Sequence, residues 1–302
     1  MCPKGVSPFL NRLVNVWLGL QQVFHPTNPK VGNLAICALF RDEAPYLEEW
    51  IEYHRLVGVD HFFLYNHSSS DGFRDVLRPY VREGVVTLRD LSFPNPWERW
   101  QVKAYSHAKD HCIGRFKWLA AIDTDEFLCP VSGNSLIQIL EGLKNHAAIF
   151  VHWKMFGTNQ KKTLRPGELQ TEVFTKCAVD EFPDHVLGKM IAQPERIVRF
   201  KIHEVILNGG ETSALANGDP LGSSRDYSTL QLNHYWTRAE DYFTSHKKPR
   251  RKVAETNDGS KGRSDLEISK FAESLNAKED LTIQKFVPEL KSRLAMRKGG
   301  AF

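Results

Sequence analysis

Several absences narrow what this chain can do. No Gly-x-Gly-x-x-Gly run follows its first strand candidate, and no Gly-Lys-Ser/Thr loop occurs anywhere, so neither a dinucleotide-binding turn nor a P-loop is supported. The five cysteines (Cys2, Cys37, Cys112, Cys129, Cys177) are scattered, odd in number and without a Cys-x-x-Cys pair. That argues against a disulfide framework and a cysteine zinc site, and favours a reducing, cytoplasmic setting. Cys37 lies within an apolar run and reads as core. No stretch reaches the roughly 18 uninterrupted apolar residues of a spanning helix. Charge is nearly balanced at a formal +4, which gives no reason to expect a nucleic-acid partner. No internal repeat is present.

What is there suits a globular protein. The 302 residues are 41% hydrophobic and 25% charged, enough for one large core or two modest ones. The segment Pro8–Phe24 places Leu10, Leu13, Trp17 and Leu20 at helical spacing. It is too polar for a secretory segment, and no small-residue cleavage site follows. Two readings stay open: a helix packed on the domain, or an interfacial helix in peripheral contact with the inner face of a membrane, supported by Lys4, Arg12 and Trp17. The breakers His25-Pro26-Thr27-Asn28-Pro29 end this N-terminal part, residues 1–30.

Residues 31–245 read as the main domain. Leu34–Phe40 is a continuous apolar run of strand length. A helix follows, with Pro45 in its first turn and Leu47, Trp50, Ile51 and His54 on one face. Strand candidates His61–Asn66, Val85–Arg89 and Phe116–Asp123 alternate with a short helix and with a helix over Trp97–Cys112. This βαβα order predicts a doubly wound, mostly parallel α/β sheet. Beyond it, Ser135–Lys144 reads as helix and Ala147–Trp153 as strand. Short β candidates (Glu172–Ala178, Lys189–Ala192, Ile197–Lys201, Thr229–Tyr235) then alternate with long loops, a mixed and loop-rich half. Residues 246–302 hold a basic run from Lys247 to Lys252, a linker over Glu255–Arg263, and helices near Asp265–Leu275 and Leu281–Ala295.

The chemistry gathers where Trp118–Ile122 runs into Asp123-Thr124-Asp125-Glu126. Carboxylates at the edge of an apolar core are costly unless something positive meets them. On an extended backbone Asp123 and Asp125 project from one face. Two hard oxygen donors there suit Mg²⁺ or Mn²⁺ carrying a phosphate ligand, at the strand end where open α/β sheets bind ligands. The alternative is a solvated acidic turn. The first strand ends in Arg41-Asp42-Glu43 and the second in Asn66-His67-Ser68-Ser69-Ser70-Asp71, so Arg41, Asp42, Glu43, Asn66, Ser68 and Asp71 share that rim. Such a rim can hold a nucleoside through base and ribose. Asp42 and Asp71 can equally serve as a helix cap and an Asx turn.

The run Arg41-Asp42-Glu43-Ala44-Pro45-Tyr46-Leu47-Glu48-Glu49-Trp50-Ile51-Glu52-Tyr53-His54 resembles the N-terminal signature of glycosyltransferase family 92 and its bacterial family-2-like relatives. The likeness continues through Gln101 to Tyr105, Ile122-Asp123-Thr124-Asp125-Glu126-Phe127, His152-Trp153-Lys154-Met155-Phe156-Gly157-Thr158-Asn159 and Leu232-Asn233-His234-Tyr235-Trp236-Thr237-Arg238. The resemblance implies a GT-A fold, a nucleotide-sugar donor (most often a UDP-sugar), a glycan or lipid-linked acceptor, a divalent metal and inversion at the anomeric carbon. It makes Asp125 a direct metal ligand, Asp123 a contact to ribose and metal, and His234 a late metal or diphosphate contact. The family commonly has Asn where this chain has Asp42.

Glycosyl transfer passes through an oxocarbenium-like state, and inversion needs a base for the acceptor hydroxyl. Asp180, Glu181 and Asp184 in the loop Asp180–His185 are the candidates, with a solvated turn as the alternative. His203 reads as a core or surface histidine. The basic run reads either as a solvated face or as a contact to anionic lipid or glycan. Competing functions are a nucleotidyltransferase or phosphodiesterase using the same aspartates, and a glycan-binding protein without catalysis.

Overall fold

The computed structural model describes residues 20–24, 31–91, 97–222, 224–249 and 264–299, with residues 20–24 and 97–99 described in backbone only. Among these, the framework is a curled ten-stranded sheet in the order β1-β4-β3-β2-β5-β9-β7-β13-β6, with β12 also paired to β7. The chain enters on β1 (Leu20–Phe24) and continues with β2 (Gly32–Phe40), α1 (Ala44–Leu56), β3 (His61–His67), α2 (Phe73–Arg82), β4 (Val86–Leu91), α3 (Trp97–Cys112) and β5 (Phe116–Ala121). Strands β2 to β5 are mutually parallel. The chain steps from β2 outward to β3 and β4, then returns through α3 to place β5 on the other side of β2. The rim above β2 and β5 is therefore a topological switch point, where open α/β sheets place their ligands.

β2 shows why both faces are covered. Its residues alternate between two cores: Leu34, Ile36, Ala38 and Phe40 face Trp50 and Ile51 of α1, while Ala35, Cys37 and Leu39 join Trp100, Ala104, Tyr105 and Ala108 of α3. Leu34 to Phe40, seven of the nine residues of β2, are all buried, so the run reads as continuous apolar sequence, as parallel strands do. Truncating a core side chain as large as Trp50 would cost about 3–5 kcal/mol.

The remaining elements are β6 (Glu126–Pro130), α4 (Leu136–Gly142), β7 (Ala148–Met155), α5 (Gln170–Val173), β8 (Lys176–Cys177), β9 (Gly188–Ala192), β10 (Ile197–Phe200), β11 (Val205–Leu207), β12 (Ser213–Leu215), β13 (Leu230–His234), α6 (Glu240–Tyr242), α7 (Asp265–Ser274), β14 (Lys278–Glu279) and α8 (Val287–Gly299). β9 lies antiparallel between β5 and β7, joining the two halves in one sheet. Gly188 makes this possible, because a Cβ there would fall 2.0 Å from the Val151 carbonyl oxygen. Leu290 and Leu294 of α8 are buried in the same core as α1, and Arg297 lies over the Tyr80 ring.

Three expectations change. The helix over Pro8–Phe24 does not reach its end, since Leu20–Phe24 is a strand antiparallel to β4. Strand β4 offers that segment an unpaired backbone edge, a template that outweighs helical spacing. Residues 8–19, and with them the membrane-contact reading, lie outside the described residues. The β candidate Glu172–Ala178 is instead the short helix α5 followed by two-residue β8. The buried Glu49 carboxylate decides this by accepting the Gln170 and Thr171 amides, both at 2.9 Å. Last, Glu126 is not part of an acidic turn: it opens β6, fully buried. No described helix is long and apolar enough to cross a membrane.

Candidate active site

The acidic run is placed by α1 and β13. Trp50 donates its indole N–H to the Glu126 carbonyl at 2.8 Å, and His54 Nε2 accepts the Leu128 amide at 3.2 Å, so α1 fixes the backbone of β6. On the other side β13 pairs antiparallel with β6, setting His234 opposite Glu126, and the Tyr235 amide donates to the Asp125 carbonyl at 2.8 Å. Leu230 and Leu232 are fully buried and anchor the strand. His234 is thereby carried to Asp125, its Nε2 lying 3.6 Å from Oδ1.

The carboxylates stand in different surroundings. Asp123 Oδ1 accepts from Gln101 Nε2 at 2.7 Å and Oδ2 from Lys189 Nζ at 2.9 Å. Its side chain keeps 28% exposure, against 1% for Lys189. Burial lowers the Lys189 ammonium's pKa, but Asp123 and Glu126 outweigh it and raise the pKa overall. Glu126 accepts the Trp153 indole N–H at 2.6 Å and the Asp123 amide at 2.8 Å, and burial pushes its pKa up to about 7. Asp125 is buried and ion-paired with Lys247. Burial favours its neutral form, yet Lys247 and then His234 hold its pKa well below the ordinary carboxylate range.

Arg238 closes the back of the site. It is buried in the left-handed region (φ 50°), ion-paired with Glu43, and lies over the rings of Tyr46 at 3.6 Å and Tyr242 at 4.7 Å. Tyr242 donates to Glu43 at 2.8 Å, and Arg238 to the Thr124 carbonyl at 3.3 Å. Glu43 thus belongs to this support. Asp42 (φ 54°) and Ser68 (φ 57°) take left-handed turns. The Asp42 carboxylate accepts the Ser70 amide at 2.7 Å, Asp71 accepts the Ala44 amide at 2.7 Å, and Asn66 donates to Asp90 at 2.8 Å. The first two contacts clamp the loops after β2 and β3 together and the third ties β3 to β4, with Arg41 exposed beside them.

The acidic loop sits apart from this cluster. Asp180 accepts from Lys278 at 2.6 Å on the surface, a bond that lowers its pKa. Glu181 is exposed, and Asp184 lies in the short turn Pro183–Val186. No hydrogen bond or ion pair among the described residues joins these three to Asp123, Asp125 or His234. His185 beside them is structural: its Nε2 accepts the Met155 amide at 3.0 Å, and burial pushes its pKa down to about 4. Sequence reasoning missed Lys189, whose only signal was a charge inside an apolar strand. Of the basic run, Lys247 lies in the site and Lys248 is 3.9 Å from Asp265; Arg250–Lys252 lie outside the described residues.

A divalent ion fits the donor set. The carboxylate of Asp125 and the imidazole of His234 are ligand types that Mn²⁺ accepts, and Nε2 is the ring nitrogen that faces Asp125. Among the described residues no three His, Cys, Asp or Glu side chains converge. The protein would supply few ligands and leave positions for phosphate oxygens and water, the usual pattern for metals that carry a nucleotide.

Known proteins resemble the chain in sequence. It is 31% identical over 118 residues to a glycosyltransferase family 92 protein of Oryza sativa subsp. japonica, covering 39% of this chain and 19% of that protein. A Ricinus communis protein of the same family is 26% identical over 218 residues, covering 71% of this chain and 37% of that protein. The chain thus spans well under half the length of these relatives. Among solved structures, the mannosyltransferase PcManGT from Pyrobaculum calidifontis, in complex with GDP-Man and Mn²⁺, aligns at 12% identity with a TM-score of 0.39, over 92% of this chain and 78% of that one. The model of glycosyltransferase family 92 matches residues 33–278, a span that runs from β2 past Lys247, and the chain belongs to that family.

Proposed function

We propose that this chain is a metal-dependent, inverting glycosyltransferase that moves a sugar from a UDP-sugar to a glycan or lipid-linked acceptor. The observation that carries the reading is the Asp125–His234 pair, assembled by the β6–β13 register at the strand ends. Asp125 and His234 would hold the ion, and Asp123, oriented by Gln101 and Lys189, would face the ribose. When bound, the metal supplies Lewis-acid stabilisation of the departing diphosphate. Lys247 is poised to add a second positive charge beside it. The clamped loops after β2 and β3, with Arg41, Asn66, Ser68 and Asp71, border the space for the nucleoside.

The two-metal alternative has less to stand on, because Asp123 is already engaged by Lys189 and Gln101, and Glu126 by Trp153 and the Asp123 amide. The test is thermal stabilisation by UDP with and without Mn²⁺, followed by NMR of the product's anomeric configuration. Stabilisation should require metal and vanish in Asp125→Asn, while that variant's own melting temperature stays within a few degrees of wild type. UDP stabilisation that ignores Mn²⁺, or that survives Asp125→Asn, would sink the assignment.

A further inference from the structure

The imidazole of His203, on the turn between β10 and β11, is drawn into the site by the tertiary structure. Its Nδ1 is 3.0 Å from the Gly188 carbonyl oxygen, and the carbonyl can only accept, so Nδ1 carries the proton and Nε2 the lone pair. Gly188 is held in the β7–β9 ladder, paired with His152, so the acceptor that orients the ring belongs to the sheet. Nε2 has no hydrogen-bond partner among the described residues, and the residue is half-buried. The ring packs edge-on against Trp153 at 5.2 Å. That same indole lies 4.6 Å from the His234 ring and donates to Glu126. One tryptophan therefore ties His203 to the acidic cluster that none of the loop carboxylates reaches.

We propose that His203 is the catalytic base for the acceptor, a role that rests on the inverting-transferase reading above. Nε2 takes the proton of the acceptor hydroxyl as its oxygen forms the bond to the anomeric carbon. The bond from that carbon to the diphosphate oxygen breaks, its electron pair leaves with the nucleoside diphosphate, and the imidazolium later gives its proton to water. A neutral ring is required, and the surroundings keep it so: burial and then Lys189 lower its pKa. The charged or titratable groups facing it are Lys189, Asp123, His234 and Glu204. The hydrogen bond to the Gly188 carbonyl and then Asp123 oppose the lowering without reversing it.

The experiment uses the full chain with a UDP-sugar that the wild type transfers, and compares His203→Ala with His203→Asn. The asparagine amide can still donate to the Gly188 carbonyl but offers no basic nitrogen. In both variants kcat should fall at least about 100-fold, the lower range for general bases. UDP affinity with Mn²⁺ and the melting temperature should stay near wild type, and added imidazole should restore part of the turnover of His203→Ala. Turnover near wild type in His203→Asn, a loss that tracks UDP affinity, or loss in Glu181→Gln or Asp184→Asn while His203→Asn stays active would each overturn the assignment. Failure of the parent reading is recognised separately, because then the wild type itself shows no metal-dependent UDP binding.

Discussion

Lys247 and Asp125, 122 positions apart, form an ion pair in which the ammonium covers Oδ2 while His234 faces Oδ1. Lys247 ends a π-helical turn, Phe243–Lys247, a local irregularity common at functional sites. Its charge meets the carboxylate that would otherwise be open to a cation. Lys247→Met should therefore tighten Mn²⁺ binding in the absence of nucleotide by about tenfold, or ~1.4 kcal/mol. Titration followed by the EPR signal of free Mn²⁺ reads this directly. An unchanged or weaker affinity would mean that the ammonium and the metal do not compete.

Lys189 and Asp123 should behave as a unit. Lys189→Met strands the charge of Asp123 and removes the cation nearest to Glu126, so it should cost about 3–5 kcal/mol in urea unfolding. Adding Asp123→Asn to that variant should recover part of the loss, because the uncompensated charge is gone. Purely additive effects in this double-mutant cycle would show that the pair is not coupled.

The structure also sets an acid limit on stability. His54 donates from Nδ1 to the Trp50 carbonyl at 2.8 Å and accepts the Leu128 amide at Nε2, an arrangement available only to the neutral ring. Burial lowers its pKa from 6.5 to about 3. Between those values the unfolded chain binds the proton that the folded one refuses, so stability is full above pH 6.5 and falls as the pH drops toward 3. The complete effect is on the order of 5 kcal/mol, and His185 adds to the same window. The urea midpoint should fall between pH 7 and pH 5, and His54→Gln should shrink that difference. An unaltered pH slope in the variant would remove His54 as the cause.

Much of the front half could be read from the chain itself, because its signals are local. The apolar run at Leu34–Phe40, the helix with Trp50, Ile51 and His54 on one face, and Trp97–Cys112 each carry their own periodicity, and the alternation of strand and helix implies the parallel sheet. The carboxylates of Asp123 and Asp125 stood out because packing could not explain them. Strand β6 was not legible, since Glu126–Pro130 opens on a carboxylate and its pairing depends on β13, more than 100 positions away. Helix α5 reads as strand from its own residues for a related reason: the Glu49 carboxylate that caps it comes from α1.

The division follows from range. Residue order fixed which segments could be strands or helices and which side chains carried charge, because hydrophobic period and turn chemistry act over a few positions. It also marked Asp125, while the family resemblance marked His234. What pairs with those charges was decided only by the tertiary structure. Lys189 reaches Asp123 because Gly188 lets β9 close against β7, Lys247 reaches Asp125 because the chain folds back after β13, and His203 is oriented by a carbonyl 15 positions earlier. Coulombic and hydrogen-bonding partners act through space, and a one-dimensional pattern does not encode which distant segment will be brought to them.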